Sequence, residues 1–238
     1  MGERVEFGKI NNFLYFYNLL DDVETIFINN ILRYIINHPI DWYNFLEKIM
    51  KNKYILKCNE NNLSIYKRHL TNQLTNTWEN VFELLLNSGV IVDVSDNKDI
   101  LSVNLYSSTI ANFFGINNLW LEYLVYFACL EIDLNSYHNA ILKLMDQTYE
   151  VDLIAFTVDH LFFFKCLDTY QYSIDVLNNL FSIQKKLQSK SSIIFIYTKD
   201  AKNFDYKNPL FTSIKYKFDY NKFKDNLKEI ILRKLIEL

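Results

Sequence analysis

The chain has 238 residues, of which 50% are hydrophobic and 16% are aromatic, enough for one large core or two modest ones. A formal net charge of −3 does not mark a nucleic-acid-binding protein, and only four glycines, at positions 2, 8, 89 and 115, exclude a glycine-rich phosphate loop. Charges interrupt every apolar run well short of about 18 residues, and residues 1–6 show no signal pattern, so we expect a cytoplasmic protein without a membrane span.

The N-terminal region shows helical periodicity. Apolar residues recur at helical spacing over residues 11–36, and a second such pattern runs from Trp42 to Ile49. Pro39 and Asp41 lie between the two patterns, as is typical of a helix boundary. The sequence therefore predicts a helical N-terminal region over residues 1–72, and one interpretation of its aromatic-rich helices is that they form a homodimer.

A helix followed by a hairpin is predicted next. Residues 75–87 have a helical pattern, Gly89 marks its end, and two apolar runs then flank a polar turn. This outline is winged-helix-like, and we assign it to residues 73–115. The helix carries Glu79 and Glu83 but no Lys or Arg, whereas a DNA-reading helix needs basic residues for phosphate contacts. A structural or dimer-forming role is therefore favoured over DNA reading.

Residues 116–238 have the pattern of an α/β domain. The predicted elements are a helix over 119–131, strands over 140–146, 150–156 and 161–167, a helix over 173–188, a strand over 192–197 and a helix over 221–238. This order predicts a central mixed sheet flanked by helices.

Other residue types carry weaker signals. From Lys190 to the end there are 11 Lys or Arg against 6 Asp or Glu, which favours either a phosphate-facing patch or, more commonly, a solvated helix face. Three widely spaced cysteines indicate reduced core thiols rather than a disulfide or zinc framework. The four histidines show no metal-ligand spacing and are expected to be surface or capping residues: His38, His69, His138 and His160.

Three charged residues are candidates for a catalytic site. Asp152 lies near the start of one predicted strand and Lys165 near the end of the next, so both are expected at the same end of the sheet. Glu122 is the only charge in the preceding apolar helix before Glu131. Metal-dependent phosphodiester cleavage uses carboxylates to hold divalent cations and a lysine to orient water and neutralise developing charge. We therefore assign Glu122 and Asp152 as candidate metal ligands and Lys165 as the candidate water-positioning cation.

The motifs around these residues resemble a known family. Trp120–Tyr126, Glu150–Ile154 and Leu161–Cys166, followed by a long helix and a buried strand, look like the C-terminal nuclease domain of CRISPR-associated, cyclic-oligoadenylate-activated nucleases with a PD-(D/E)xK core. The similarity covers roughly residues 80–200. It implies a restriction-endonuclease-like fold, a role in antiviral defence and, if the site is active, a dependence on Mg²⁺ or Mn²⁺.

The chain departs from this family at the residues that matter most. The resemblance implies a Glu-x-Lys triplet at the end of the third strand, but those positions hold Lys165 and Leu167, which project from the same face. An ammonium in place of the carboxylate opposes metal binding by about 1 to 4 kcal/mol at 4 Å for each unit of charge on the metal. Two rescues are open: Asp168 replaces the missing acid, or Lys165 acts as a migrated catalytic lysine. The family's N-terminal sensor domain is not recognisable, so activation by cyclic oligoadenylate is not carried over.

Four interpretations follow from the sequence. The first is a catalytically degenerate nuclease fold, without a metal cofactor, that binds nucleic acid or a protein partner in an antiviral-defence system. The second is an active endonuclease that uses Mg²⁺ or Mn²⁺. The third is a structural protein that dimerises through its N-terminal helices, and the fourth is an unrelated α/β protein, since such short motifs also occur by chance.

Overall fold

The computed structural model of the chain describes residues 3–6, 13–16, 22–46, 55–59, 61–67, 72–115, 119–144, 147–158, 160–167, 174–187, 191–199 and 211–236. In chain order its elements are β1 (Glu3–Glu6), β2 (Phe13–Phe16), α1 (Asp22–Asn37), α2 (Pro39–Asn44), β3 (Ile55–Asn59), β4 (Asn62–Tyr66), α3 (Asn72–Asn87), β5 (Ile91–Asp96), β6 (Ile100–Leu105), α4 (Ser108–Gly115), α5 (Leu119–Glu131), β7 (Asn135–Leu144), β8 (Gln147–Phe156), β9 (Leu161–Leu167), α6 (Ile174–Leu187), β10 (Ser191–Tyr197), β11 (Thr212–Lys215) and α7 (Tyr220–Ile236).

These elements form two compact units. One consists of Leu20–Trp120, and the other combines Met1–Leu19 with Leu121–Leu238. Within the described residues, no helix is both long and apolar enough to cross a membrane. The domain boundaries that the sequence suggests after residues 72 and 115 remain a prediction.

The unit Leu20–Trp120 contains the predicted helix and hairpin. α3 ends in a left-handed turn at Gly89, whose φ is +73°. Gly89 N–H donates to the carbonyl of Leu86, and Val90 N–H donates to that of Leu85. These two hydrogen bonds are a Schellman motif, which satisfies the last carbonyls of a helix and favours glycine because a Cβ is strained at positive φ. The chain is thereby turned directly into the hairpin β5–β6.

That hairpin belongs to a larger sheet than its sequence pattern predicted. β3 and β4 extend it to four antiparallel strands in the order β3-β4-β6-β5. Together with β1 and β2, this makes four strands among the described residues before residue 73, where periodicity predicted helices alone. All four are only four or five residues long, too short for periodicity to separate strand from helix. β2 also begins within the predicted helix of residues 11–36, and α1 starts only at Asp22.

The second unit is built on a mixed sheet of seven strands, which confirms the predicted fold class. The strand order is β1-β2-β7-β8-β9-β10-β11, with β9, β10 and β11 parallel and the other neighbours antiparallel. β9 and β10 are buried along almost their whole length, as apolar runs without alternation predict for strands covered on both faces. Leu180 and Ile183 of α6 pack on Phe163 and Phe195 in the core of this unit.

Candidate functional site

The candidate site lies where β8 and β9 stop pairing. Their last paired residues are Leu153 and Phe164, so Asp152 and Lys165 occupy the next position, just beyond the ladder. There β9 is still paired with β10, through Lys165 and Phe195, and β8 is still paired with β7. β8 and β9 therefore separate at this point, while β8 remains paired with β7 and β9 remains paired with β10.

Asp152 and Lys165 form an ion pair across this gap. Lys165 Nζ donates to Asp152 Oδ2. The lysine side chain is 18% exposed and the aspartate side chain 41% exposed, so water reaches the carboxylate more readily than the ammonium. The structure thus places these two candidate residues together at one end of the sheet.

Glu122 lies close to this pair. Burial by itself lowers the pKa of Lys165, but the carboxylates of Asp152 and Glu122 outweigh it, so the lysine pKa is raised above its ordinary value and the ammonium stays charged at neutral pH. Glu122 Oε2 is also 3.1 Å from His138 Nε2, and the imidazole stacks on Tyr123 at a centroid distance of 4.5 Å. The histidine and its aromatic neighbour hold the Glu122 carboxylate in place.

A pocket of about 780 Å³ opens beside the ion pair. Its walls are the first half of β8, the end of β9 and the middle of α6, and both Asp152 and Lys165 line it. Enclosed volumes of roughly 300–1,000 Å³ are typical of sites for small molecules and single ligand groups. The ion pair therefore faces a space large enough to hold a ligand.

The structure also corrects the sequence prediction for two histidines. His138 is a partly buried partner of Glu122 rather than a surface residue. His160 is only 2% exposed, its Nε2 is 2.9 Å from Ser192 Oγ, and burial followed by the charge of Lys234 lowers its pKa. Both were missed because isolated histidines carry no spacing signal, and their partners lie 16 and 32 residues away. His38 is exposed, as predicted, and His69 lies outside the described residues.

The predicted metal ligands are only partly assembled. Asp168 lies outside the described residues. Among the residues that the structure describes, no three His, Cys, Asp or Glu side chains are grouped so as to hold a metal ion. Asp152 and Glu122 instead contact Lys165 and His138, and Leu167, at the position of the family's lysine, is 6% exposed in the apolar core. Among the described residues, the two candidate carboxylates therefore pair with Lys165 and His138 rather than with each other.

The excess of Lys and Arg in the last quarter of the chain includes residues that form ion pairs within the protein and residues that are exposed to solvent. Lys224 Nζ is 2.7 Å from Glu131 Oε2, which joins α7 to α5. Lys222, Lys228 and Arg233 are exposed along α7. The exposed side of α7 is therefore a solvated basic face, which is the interpretation that the sequence favoured over a phosphate-facing patch.

Comparison with known proteins shows the fold. No protein-family model matches this chain, and no curated protein matches it. Among solved structures, VC1899 from Vibrio cholerae superposes with a TM-score of 0.57 at 12% identity, covering 94% of this chain and 59% of that protein. Can2 from Sulfobacillus thermosulfidooxidans, in complex with cyclic tetra-adenylate, gives a TM-score of 0.54 at 14% identity and covers 93% of this chain and 64% of Can2. The chain shares their fold. It spans less than two thirds of the length of either protein, and such low identity carries the fold alone.

Proposed function

We propose that this chain is a nuclease-fold protein whose metal site is closed by Lys165, and that it binds nucleic acid or a protein partner without cutting. Its setting is an antiviral, CRISPR-associated type of system. The observation that carries this proposal is the ion pair between Lys165 and Asp152 at the gap between β8 and β9. The fold shared with Can2 supports the setting.

The ion pair disfavours a metal for two physical reasons. A divalent cation that bound Asp152 would first have to displace the ammonium from its carboxylate. It would then remain near a positive charge, at a cost of about 2 to 8 kcal/mol at 4 Å for a doubly charged ion, depending on the local dielectric. Glu122 does not offset this cost, because its carboxylate is held by His138.

The alternative function is an active endonuclease that depends on Mg²⁺ or Mn²⁺. It is favoured by one observation, the convergence of Glu122, Asp152 and Lys165, the three residues that the sequence singled out. In this alternative Glu122, Asp152 and Asp168 hold the metal and Lys165 positions the attacking water. Both proposals predict that a ligand occupies the pocket, and they differ in whether a metal ion binds at Asp152.

Calorimetric titration with Mn²⁺ distinguishes the two. The proteins compared are the wild type, Asp152→Ala, Lys165→Glu and Lys165→Gln. If Lys165 closes the site, the wild type releases no binding heat. Lys165→Glu, which places a carboxylate beside Asp152, gains Mn²⁺ binding. Lys165→Gln, the matched control, removes the positive charge without adding a ligand and gains little.

The opposite pattern would support the nuclease. Wild-type binding of Mn²⁺ that is lost in Asp152→Ala, together with metal-dependent cleavage of DNA or RNA that the same variant abolishes, would overturn the closed-site proposal. Cyclic tetra-adenylate, the ligand of Can2, serves as the probe for a nucleotide partner in the same titration.

A further inference from the structure

Beside the ion pair, one edge of the pocket carries a connected group of polar side chains, here called the rim: Gln147, Tyr149 and Lys186. The first two line the pocket on β8. Lys186, on the last turn of α6, donates to Gln147 Oε1 and to the Tyr149 hydroxyl oxygen. The Tyr149 hydroxyl donates to Gln147 Oε1 at 2.6 Å. The rim thus joins a cation, an amide and an aromatic ring.

Lys186 supplies the positive charge of the rim. Its contacts among the described residues are the two neutral side chains of the rim, and none is a carboxylate. The side chain is exposed, so its ammonium is available to an anion. Phosphate groups are the anions that exposed lysines at a pocket edge recognise as point charges.

The Tyr149 ring offers a flat apolar surface beside this charge. The ring is partly buried against the core of the second unit and also lines the pocket. Lys186 Nζ is 5.0 Å from the ring centroid and is hydrogen-bonded to the hydroxyl. The ammonium therefore lies towards the hydroxyl end of the ring, and the part of the ring that lines the pocket is an aromatic surface of the kind on which bases stack.

The other polar groups of the pocket suit a base rather than a second phosphate. The Glu150 carboxylate and the Asn179 amide line it, and neither has a hydrogen-bond partner among the described residues. A carboxylate repels phosphate but accepts hydrogen bonds from the amino groups of a base. The negative charge of a ligand is thereby directed to Lys186 and its base to the pocket interior.

From this arrangement we propose that the rim binds one unpaired nucleotide of a single-stranded nucleic acid. The base stacks on Tyr149, and its phosphate contacts Lys186. A duplex is disfavoured because its bases are stacked on one another and cannot reach the ring. The inference rests on the proposed function, since it names the nucleic acid that the closed nuclease site would hold.

Fluorescence anisotropy with a short labelled single strand, as DNA and as RNA, and with the matching duplex at low salt tests the inference. Tyr149→Leu is expected to weaken single-strand binding about tenfold, the usual effect of losing one stacked base, while Tyr149→Phe keeps the ring and most of the affinity. Lys186→Gln is expected to lower the slope of log affinity against log salt by about 0.7. Lys185→Gln is the matched control, because it removes another exposed charge from the same turn of α6 without touching the rim.

The possible failures are distinguishable. If the single strand binds but neither Tyr149→Leu nor Lys186→Gln changes its affinity, the rim is not the site and the proposed function stands. Equal losses in Lys185→Gln and Lys186→Gln, or tighter binding of the duplex, also overturn the inference. If no nucleic acid binds even at low salt, both the inference and the nucleic-acid part of the proposed function are wrong. Lys186→Glu against Lys185→Glu repeats the comparison with surface substitutions, in case Tyr149→Leu fails to fold.

Discussion

Removing either partner of the Asp152–Lys165 ion pair should destabilise the protein unequally. The Lys165 side chain is 18% exposed and that of Asp152 is 41% exposed. Asp152→Ala leaves a mostly buried ammonium with only the more distant Glu122 to offset its charge. Lys165→Met leaves a carboxylate that water can solvate, and methionine retains the apolar stem. We therefore expect the aspartate variant to lose the greater stability.

The magnitudes follow from this difference in exposure. Leaving a buried charge without its partner costs several kcal/mol in a dry interior. Because water partly reaches the Lys165 ammonium, we expect Asp152→Ala to cost about 2 kcal/mol. Lys165→Met resembles the loss of a surface pair, at about 0 to 1 kcal/mol. For a protein of this size each kcal/mol shifts Tm by about 2–4 °C. Asp152→Ala should therefore lower Tm by about 4–8 °C, and Lys165→Met by about 4 °C at most.

Urea unfolding followed by circular dichroism at neutral pH measures these differences. The double variant Asp152→Ala/Lys165→Met completes a thermodynamic cycle, and we expect a coupling energy of about 1 kcal/mol between the two positions. Equal losses in the two single variants, or a coupling energy indistinguishable from zero, would refute the predicted energetic coupling between Asp152 and Lys165.

Three further predictions concern residues outside the pocket. Burial, followed by the charge of Lys234, lowers the pKa of His160 in the folded protein. The unfolded chain therefore binds a proton at this imidazole more tightly than the folded protein does. The stability that His160 contributes is present above its pKa in the unfolded chain, and it is lost as the pH falls from there through its pKa in the folded protein. His160→Gln should flatten the fall in urea midpoint between about pH 7 and pH 5, and an unchanged fall in this variant would contradict the reasoning. Gly89→Ala should cost about 1 kcal/mol in urea unfolding, because φ of +73° strains any L side chain; an unchanged midpoint would contradict this. Since burial raises the pKa of the Cys129 and Cys166 thiols, both should resist a disulfide reagent until the protein is unfolded in urea, and rapid reaction of either in the native state would contradict their burial.

Local signals were sufficient for the elements with long periodic patterns. α3 and its end at Gly89 were predictable because the apolar spacing and the glycine are properties of adjacent residues. β8 and β9 were predictable because each contains a short apolar run, with polar breaks between the two runs. Their short antiparallel connection also explains why the sequence alone could place Asp152 and Lys165 at one end of the sheet.

Short strands and distant partners were not predictable in the same way. β1, β2 and β11 have four residues each, and they are strands because they pair with β7 or β10 or with each other. When a strand is stabilised by pairing with a segment far away in the sequence, neither segment needs a regular spacing of apolar residues that would reveal it. The same reasoning applies to Glu122 and His138, whose contact depends on the packing of α5 against the sheet.

By itself, then, the sequence determined the α/β class, the helix and hairpin around Gly89, and the candidate residues Glu122, Asp152 and Lys165. These follow from composition, periodicity and residue type, which act over a few neighbouring positions. Only the tertiary structure decided that Lys165 binds Asp152, and that the rim comes together although Gln147 and Lys186 are 39 residues apart. Contacts of this kind depend on where the sheet opens and which helix covers the gap, and no local stretch of sequence encodes that geometry.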